Sequence, residues 1–277
     1  MSRKKFSFSL LADHVYLSLL SALALFPLLW VLLCSVKSKQ ELMDRPTALL
    51  PHYISWDSYR HILGQMGFVT NILNSLWVAL AATAATIFIS ALGAYGIVRF
   101  CPRLGKKLTR LMIMSYMFPS ILLAVPYSTM MMRAGLTNTR LGLVIVYLSF
   151  SVPYAIWLLV GFFGTVPLEI EEAARVDGAA RLQVFLQVAL PITMPGIVAT
   201  AIYTFINAWN EFLFALILIN STGKMTVSVA LNAIQGAEYL DWGDVMAAST
   251  LVVMPSVVFF MFIQKRIAGG LAQGAVK

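Results

Sequence analysis

Two groups of polar residues stand out from an otherwise apolar chain, and each has types and spacing that could do chemistry. The first is Tyr203, Asn207, Asn210, Glu211 and Phe214, set in a hydrophobic stretch that runs on to Ile219. A carboxylate at a bilayer centre costs about 2.5–3.5 kcal/mol on insertion scales, so Glu211 must face a bundle interior or water. Asn207 and Glu211 are four residues apart and share one face of a helix. With Tyr203 and Phe214 they form a stripe of amide, carboxylate and aromatic groups. Such a stripe suits a hydroxyl-rich solute moving along a path, and it suits equally well hydrogen bonds to a partner membrane chain that hold a helix pair together. A proton relay is a third role, but it calls for a second deep ionisable residue, and the sequence offers none.

The second group is a charged insert between two hydrophobic segments, Pro167-Leu168-Glu169-Ile170-Glu171-Glu172-Ala173-Ala174-Arg175-Val176-Asp177-Gly178-Ala179, continuing to Leu190-Pro191. So dense a set of charges cannot lie in lipid. Pro167 suits a first helical turn, and Glu169, Glu171 and Glu172 complement the positive end of a helix dipole. Gly178 supplies a stop. A second short helix then carries Leu182, Phe185, Leu186, Ala189 and Leu190 as one apolar stripe ended by Pro191. Two readings are open on periodicity alone: an amphipathic loop lying on a lipid surface, or a docking element with a partner.

Catalytic signatures are missing. The chain has no GxxxxGK[ST] phosphate loop, no HExxH and no GxSxG elbow. His14, His52 and His61 are scattered, and two cysteines, Cys34 and Cys101, make neither a metal pattern nor an expected disulfide. The chain is therefore expected to be no enzyme and to bind no metal or cofactor of its own.

The elements that must position these groups are membrane helices. Of 277 residues, 60% are hydrophobic and 12% charged, against roughly 25% charged in a soluble domain. The fold class expected is all-α and polytopic, one membrane domain over residues 1–277. Six stretches are long and apolar enough to cross: residues 14–36, 76–98, 108–132, 141–163, 192–219 and 245–263, with the charged loop at 164–191. The run after Arg3-Lys4-Lys5 is long and lacks a cleavage site, which makes it a retained first span. In the second span, Ala81, Ala85, Gly93, Ala94 and Gly96 offer small faces for close contact. The first external loop, with Trp56 and Tyr59, reads as an interfacial segment, and the loop from Asn220 to Asp244, with Glu238, Asp241 and Asp244, as a solvated one.

Six spans put both termini on one side. Of the 20 Lys and Arg, thirteen fall on the side of the termini, among them Arg99, Arg103, Lys106, Lys107 and Arg110 of one basic loop. The other seven fall opposite. The positive-inside rule makes the termini and the charged loop cytoplasmic. It also accounts for the net charge of +8, together with anionic lipid, so no nucleic-acid partner is expected.

Glu172-Ala173-Ala174, then Gly178 after three further residues, then Val188 and Leu190-Pro191, resembles the EAA loop of ABC importer permeases. The family usually has isoleucine where Val188 stands. Phe118-Pro119, Gly135-Leu136-Thr137-Asn138-Thr139, Trp157-Leu158-Leu159-Val160-Gly161, Asn207-Ala208-Trp209-Asn210-Glu211-Phe212 and the terminal Gly270-Leu271-Ala272-Gln273-Gly274-Ala275-Val276-Lys277 are similar to its sugar-importing branch, the maltose-type second permease. The resemblance implies a type I ABC importer permease fold in a cytoplasmic (inner) membrane. It implies four kinds of partner: a second homologous permease, two ATPase subunits carrying ATP and Mg²⁺, an extracytoplasmic solute-binding protein, and membrane lipid. It further implies that Glu172 and Asp177 interact with an ATPase cleft, that Ala173 and Ala174 allow close approach, and that Gly178 turns the chain. The solute it implies is a sugar, an oligosaccharide or a glycerol-phosphate-like molecule. The rival reading is a stand-alone secondary carrier or channel using Glu211.

Overall fold

Backbone in hydrocarbon has to satisfy its own N–H and C=O groups, so apolar stretches of this length become helices. The computed structural model describes residues 8–274. Arg3, Lys4 and Lys5 of the topology count, and Ala275, Val276 and Lys277 of the terminal resemblance, lie outside the described residues. Among the described residues every regular element is helical. Four helices are long and apolar enough to cross a membrane, and up to six spans result if each of two bent helix pairs is one span. The chain divides into two compact units, one of Leu231–Val253 with the chain up to Phe68, the other of Val69–Ala230 with the chain from Met254.

The first unit opens with α1 (Phe8–Ser35), an apolar helix whose residues 13–29 are exposed. Two short helices follow, α2 (Lys39–Asp44) and α3 (Asp57–Arg60), the latter running into a π turn at His61–Gln65. Ser38 caps α2 by accepting from the Glu41 amide. His61 meets Asp244 at 2.6 Å, and Lys39 is ion-paired with Asp241, whose carboxylate holds the ammonium above the usual lysine range. Asp241 also accepts from the amides of Gly243 (2.9 Å) and Asp244 (3.4 Å). The expected solvated loop is thus corrected at its end: Asp241 caps a helix start, and Asp244 is buried.

The second unit is built on α4 (Phe68–Phe100) and α7 (Arg140–Gly164). Of the small positions expected on α4, Ala94 is buried and Gly93 lies close against Ile156, while Ala81 and Ala85 are only half-buried; Ala79, Ala82, Thr86 and Ser90 complete the buried row. Asn71 and Asn74 donate to the carbonyls of Thr222, Gly223 and Met225, and Ser75 accepts from the Val227 amide, so polar side chains fix this end of α4.

The stretch expected to cross at 108–132 is broken. α5 (Pro102–Tyr116) starts earlier because Pro102 suits a first helical turn. It stops before Pro119, which has no amide hydrogen and disfavours helical backbone at Phe118. A 3₁₀ turn (Ser120–Leu123) leads to α6 (Ala124–Arg133), and the pair is bent by 88°. The stretch at 192–219 is also interrupted. α11 (Met194–Asn210) ends at Glu211, whose backbone is extended, and α12 (Leu213–Leu218) follows. The core at one end of this unit packs Ala91, Ala94 and Tyr95 of α4 with Ile156, Leu159 and Phe163 of α7, and with Phe185, Ala189 and Ile197. α13 (Val227–Gln235) and α14 (Trp242–Gly274) complete the chain.

Candidate functional site

The charged insert folds as α8 (Leu168–Val176), α9 (Arg181–Val184), a π turn (Phe185–Ala189) and α10 (Leu190–Ile192). Pro167 is the N-cap residue of α8, one position ahead of the first turn expected for it. Gly178 has φ +91°, and the helix ends in a double hydrogen bond: Ala179 N to Ala174 O at 3.0 Å and Gly178 N to Arg175 O at 3.1 Å. This 6→1 and 5→2 pair is the Schellman stop, and the residue at its turn needs a left-handed backbone. No neighbouring atom lies within 4 Å of where a Cβ on Gly178 would stand, so the demand for glycine is conformational, not steric.

Glu172, Ala173, Val176 and Asp177 are exposed, Val176 at 87%. Glu171 is the one buried residue of α8 among the described residues. Its carboxylate accepts from Arg99 Nε (2.9 Å), Arg99 Nη2 (2.6 Å) and Tyr95 OH (2.8 Å), and Arg99 Nη2 also donates to Val166 O (2.8 Å). Arg99, counted from the sequence with the basic loop, is also the last-turn cation of α4 and is paired with the insert.

The expected apolar stripe on the second loop helix is present: Leu182, Phe185, Leu186 and Leu190 line one apolar groove with Ala84, Ile87, Phe88, Ala91 and Leu92 of α4. Phe185 and Ala189 are its buried members, with Val184 beside them, while Leu182 and Leu186 stay 62% and 49% exposed. Pro191 sits inside α10, and the bend comes at Thr193, whose hydroxyl donates to Ala189 O and Leu190 O; the helices on either side differ in direction by 77°.

The membrane stripe lies on a cavity of about 300 Å³ lined by Tyr116, Phe118, Ser120, Tyr147, Phe150, Ser151, Tyr203, Asn207, Ala208, Glu211 and Phe214. Tyr203, Asn207, Glu211 and Phe214 are brought together there; Asn210 is not among the lining residues. Tyr203 shares a 2.5 Å hydrogen bond with Tyr116 and stacks on Tyr154 at 4.3 Å between ring centres. Asn207 and Asn210 donate to the carbonyls of Tyr203 and Ile206, which closes the end of α11.

Glu211 is not a helical residue, so it does not share a helix face with Asn207 as expected. It caps α12: one oxygen accepts from Phe214 N (2.8 Å), the other from Ala215 N (3.1 Å) and from Tyr147 OH (2.7 Å). A carboxylate at a helix start satisfies orphan amides and meets the positive end of the dipole. The cap adds to the path-lining, helix-holding and proton-relay roles expected from the sequence: Glu211 lines the cavity, and the bond from Tyr147 ties it to α7 within the chain. Tyr147, far away in the chain, carries no signal in a single sequence that could have named it. Among the described residues no three His, Cys, Asp or Glu are grouped to hold a metal.

The family described as binding-protein-dependent transport system inner membrane component matches residues 87–273, a range that includes the charged insert and every lining residue of the cavity. The chain belongs to this family. It is 33% identical to the inner membrane ABC transporter permease protein YcjP of Escherichia coli, over all of both chains. It is 34% identical to the trehalose transport system permease protein SugB of Mycobacterium tuberculosis, covering 92% of this chain and 93% of that one. It is 32% identical to the diacetylchitobiose uptake system permease protein NgcG of Streptomyces coelicolor, covering 96% and 88%. In fold it is similar to a chain of a bacterial ABC transporter involved in the import of alginate, with a TM-score of 0.80 at 22% identity over 95% of this chain and 99% of that one. The all-α permease fold of an ABC importer is thereby established, and this permease is an inner-membrane component.

Proposed function

We propose that this permease is one of two homologous membrane subunits of an ATP-driven importer of carbohydrate. Two ATPase subunits bind ATP and Mg²⁺ on its cytoplasmic side, and a solute-binding protein delivers the solute outside. The observation that carries the reading is the α8 face of Glu172, Ala173, Val176 and Asp177, turned outward and ended at Gly178. A short helix with small exposed residues fits a cleft on another protein. Its own chain leaves that face uncovered. ATP-driven closure of the ATPases would move this element and swing the spans between inward- and outward-open.

The carbohydrate assignment is supported by the names of relatives, which include trehalose and diacetylchitobiose systems, and by the amide, hydroxyl and aromatic groups of the cavity. A delivering protein is supported by the family description and by a similar fold solved in complex with an alginate pentasaccharide-bound periplasmic protein, with a TM-score of 0.68. The lysine and arginine distribution supports cytoplasmic termini. Affinity purification of the tagged chain in mild detergent tests the assembly. An ATPase and a second permease should come with it in constant ratio; recovery of the chain alone would favour a stand-alone carrier.

A further inference from the structure

We propose that the Arg99–Glu171 ion pair is the link through which α8 drives the membrane helix α4, making Arg99 and Glu171 positioning residues for transport. The inference rests on the reading of this chain as an ATP-driven permease. α8 projects its outward face away from the chain, and among the described residues its one buried side chain is a charged one, Glu171. α8 also packs against α9 and the π turn that follows it, so a force applied to Glu172, Ala173 or Val176 has that route as well; Glu171 is the contact that hands it directly to α4.

The contact is built to carry direction as well as adhesion. The guanidinium gives two bonds to one carboxylate oxygen and a third to Val166 O, in the linker ahead of α8. Tyr95 OH takes the other oxygen. Arg99 and Tyr95 lie one turn apart on α4, so both seats of the carboxylate belong to the same rigid helix. Tyr95 packs in turn against the rings of Phe163 at 5.7 Å and Phe185 at 4.9 Å, which also touch each other at 6.2 Å. Arg99 closes the last turn of α4 and Glu171 opens the first turn of α8, each charge at the helix end that favours it. A plain anchor of this size would hold as well with apolar side chains, which avoid the cost of drying two charges. A forked pair adds fixed orientation, which an apolar contact lacks.

The test uses the whole transporter in proteoliposomes with its ATPase and loaded binding protein. Glu171→Gln should lower solute imported per ATP hydrolysed at least tenfold, with recovery of assembled complex within twofold of wild type. Arg99→Lys, which keeps the charge and loses the fork, should fall between. Spin labels at Leu92 and Ile170, in a chain with Cys34→Ala and Cys101→Ser, should give one narrow distance with and without ATP, and a broadened one once Glu171→Gln is added. An unchanged import-to-ATP ratio in Glu171→Gln would overturn the proposal. So would a loss of assembled complex with the ratio intact, which would make the pair a structural anchor alone. If the wild-type complex itself imports nothing with ATP, the permease reading falls, and the proposal with it.

Discussion

At the scale of single residues, Glu211 shows how a charge can sit in an apolar stretch without a counter-ion. Two backbone amides and the Tyr147 hydroxyl converge on its carboxylate, and the helix break that exposes those amides is the break that Glu211 itself makes. Removing the carboxylate leaves three donors short of an acceptor, and an unsatisfied buried donor costs roughly 1–3 kcal/mol. Glu211→Ala should therefore lower the thermal unfolding midpoint of the detergent-solubilised complex by several degrees and reduce import. Glu211→Gln, whose amide oxygen still accepts, should lose less of both. An unchanged midpoint in Glu211→Ala would mean that the cap contributes nothing. The sequence announced that Glu211 needed partners, because an apolar neighbourhood makes a lone carboxylate conspicuous. It could not name Tyr147, since two residues 64 positions apart leave no mark on each other in one chain.

At the scale of elements, the helices that follow from hydrophobic length were legible and those that follow from local interruptions were not. The spans at 141–163 and 76–98 appear as α7 and a longer α4, because nothing in them offers the backbone an alternative to its own hydrogen bonds. The stretches at 108–132 and 192–219 are as apolar, yet both break, one ahead of Pro119 and one at Glu211. Proline alone does not decide the matter, since Pro153 lies inside an unbroken α7. The Schellman stop at Gly178 was legible from glycine after a charged helix; the π turn at Phe185–Ala189 was not, since nothing in its residues departs from a regular period. Close packing between elements gives a second test. A Cβ on Gly196 of α11 would run into the ring of Phe162 on α7. Overpacking of this kind costs on the order of 1–3 kcal/mol. Gly196→Leu should reduce the amount of inserted, protease-resistant permease. Gly161→Ala, where a Cβ meets open space, should not. Equal abundance of the two variants would contradict the packing described.

At the scale of the whole molecule, the account joins a topology to a coupling device. Cysteines at Gly64 and Gly223 should react with an impermeant thiol reagent in intact cells, and a cysteine at the exposed Arg103 only after lysis, all in a chain without Cys34 and Cys101. Labelling at position 103 from outside would reverse the orientation. The central claim, that the insert couples ATP hydrolysis to transport, is tested most directly by Gly178→Val. The left-handed backbone at this position strains a branched residue by on the order of 1–3 kcal/mol. That is enough to displace the nine-residue helix α8 and too little to unfold the spans. In proteoliposomes the variant should be inserted at normal abundance, with import lost and with ATP hydrolysis no longer rising when loaded binding protein is added. Normal import by Gly178→Val would contradict the claim and leave the insert as a segment lying on the membrane surface.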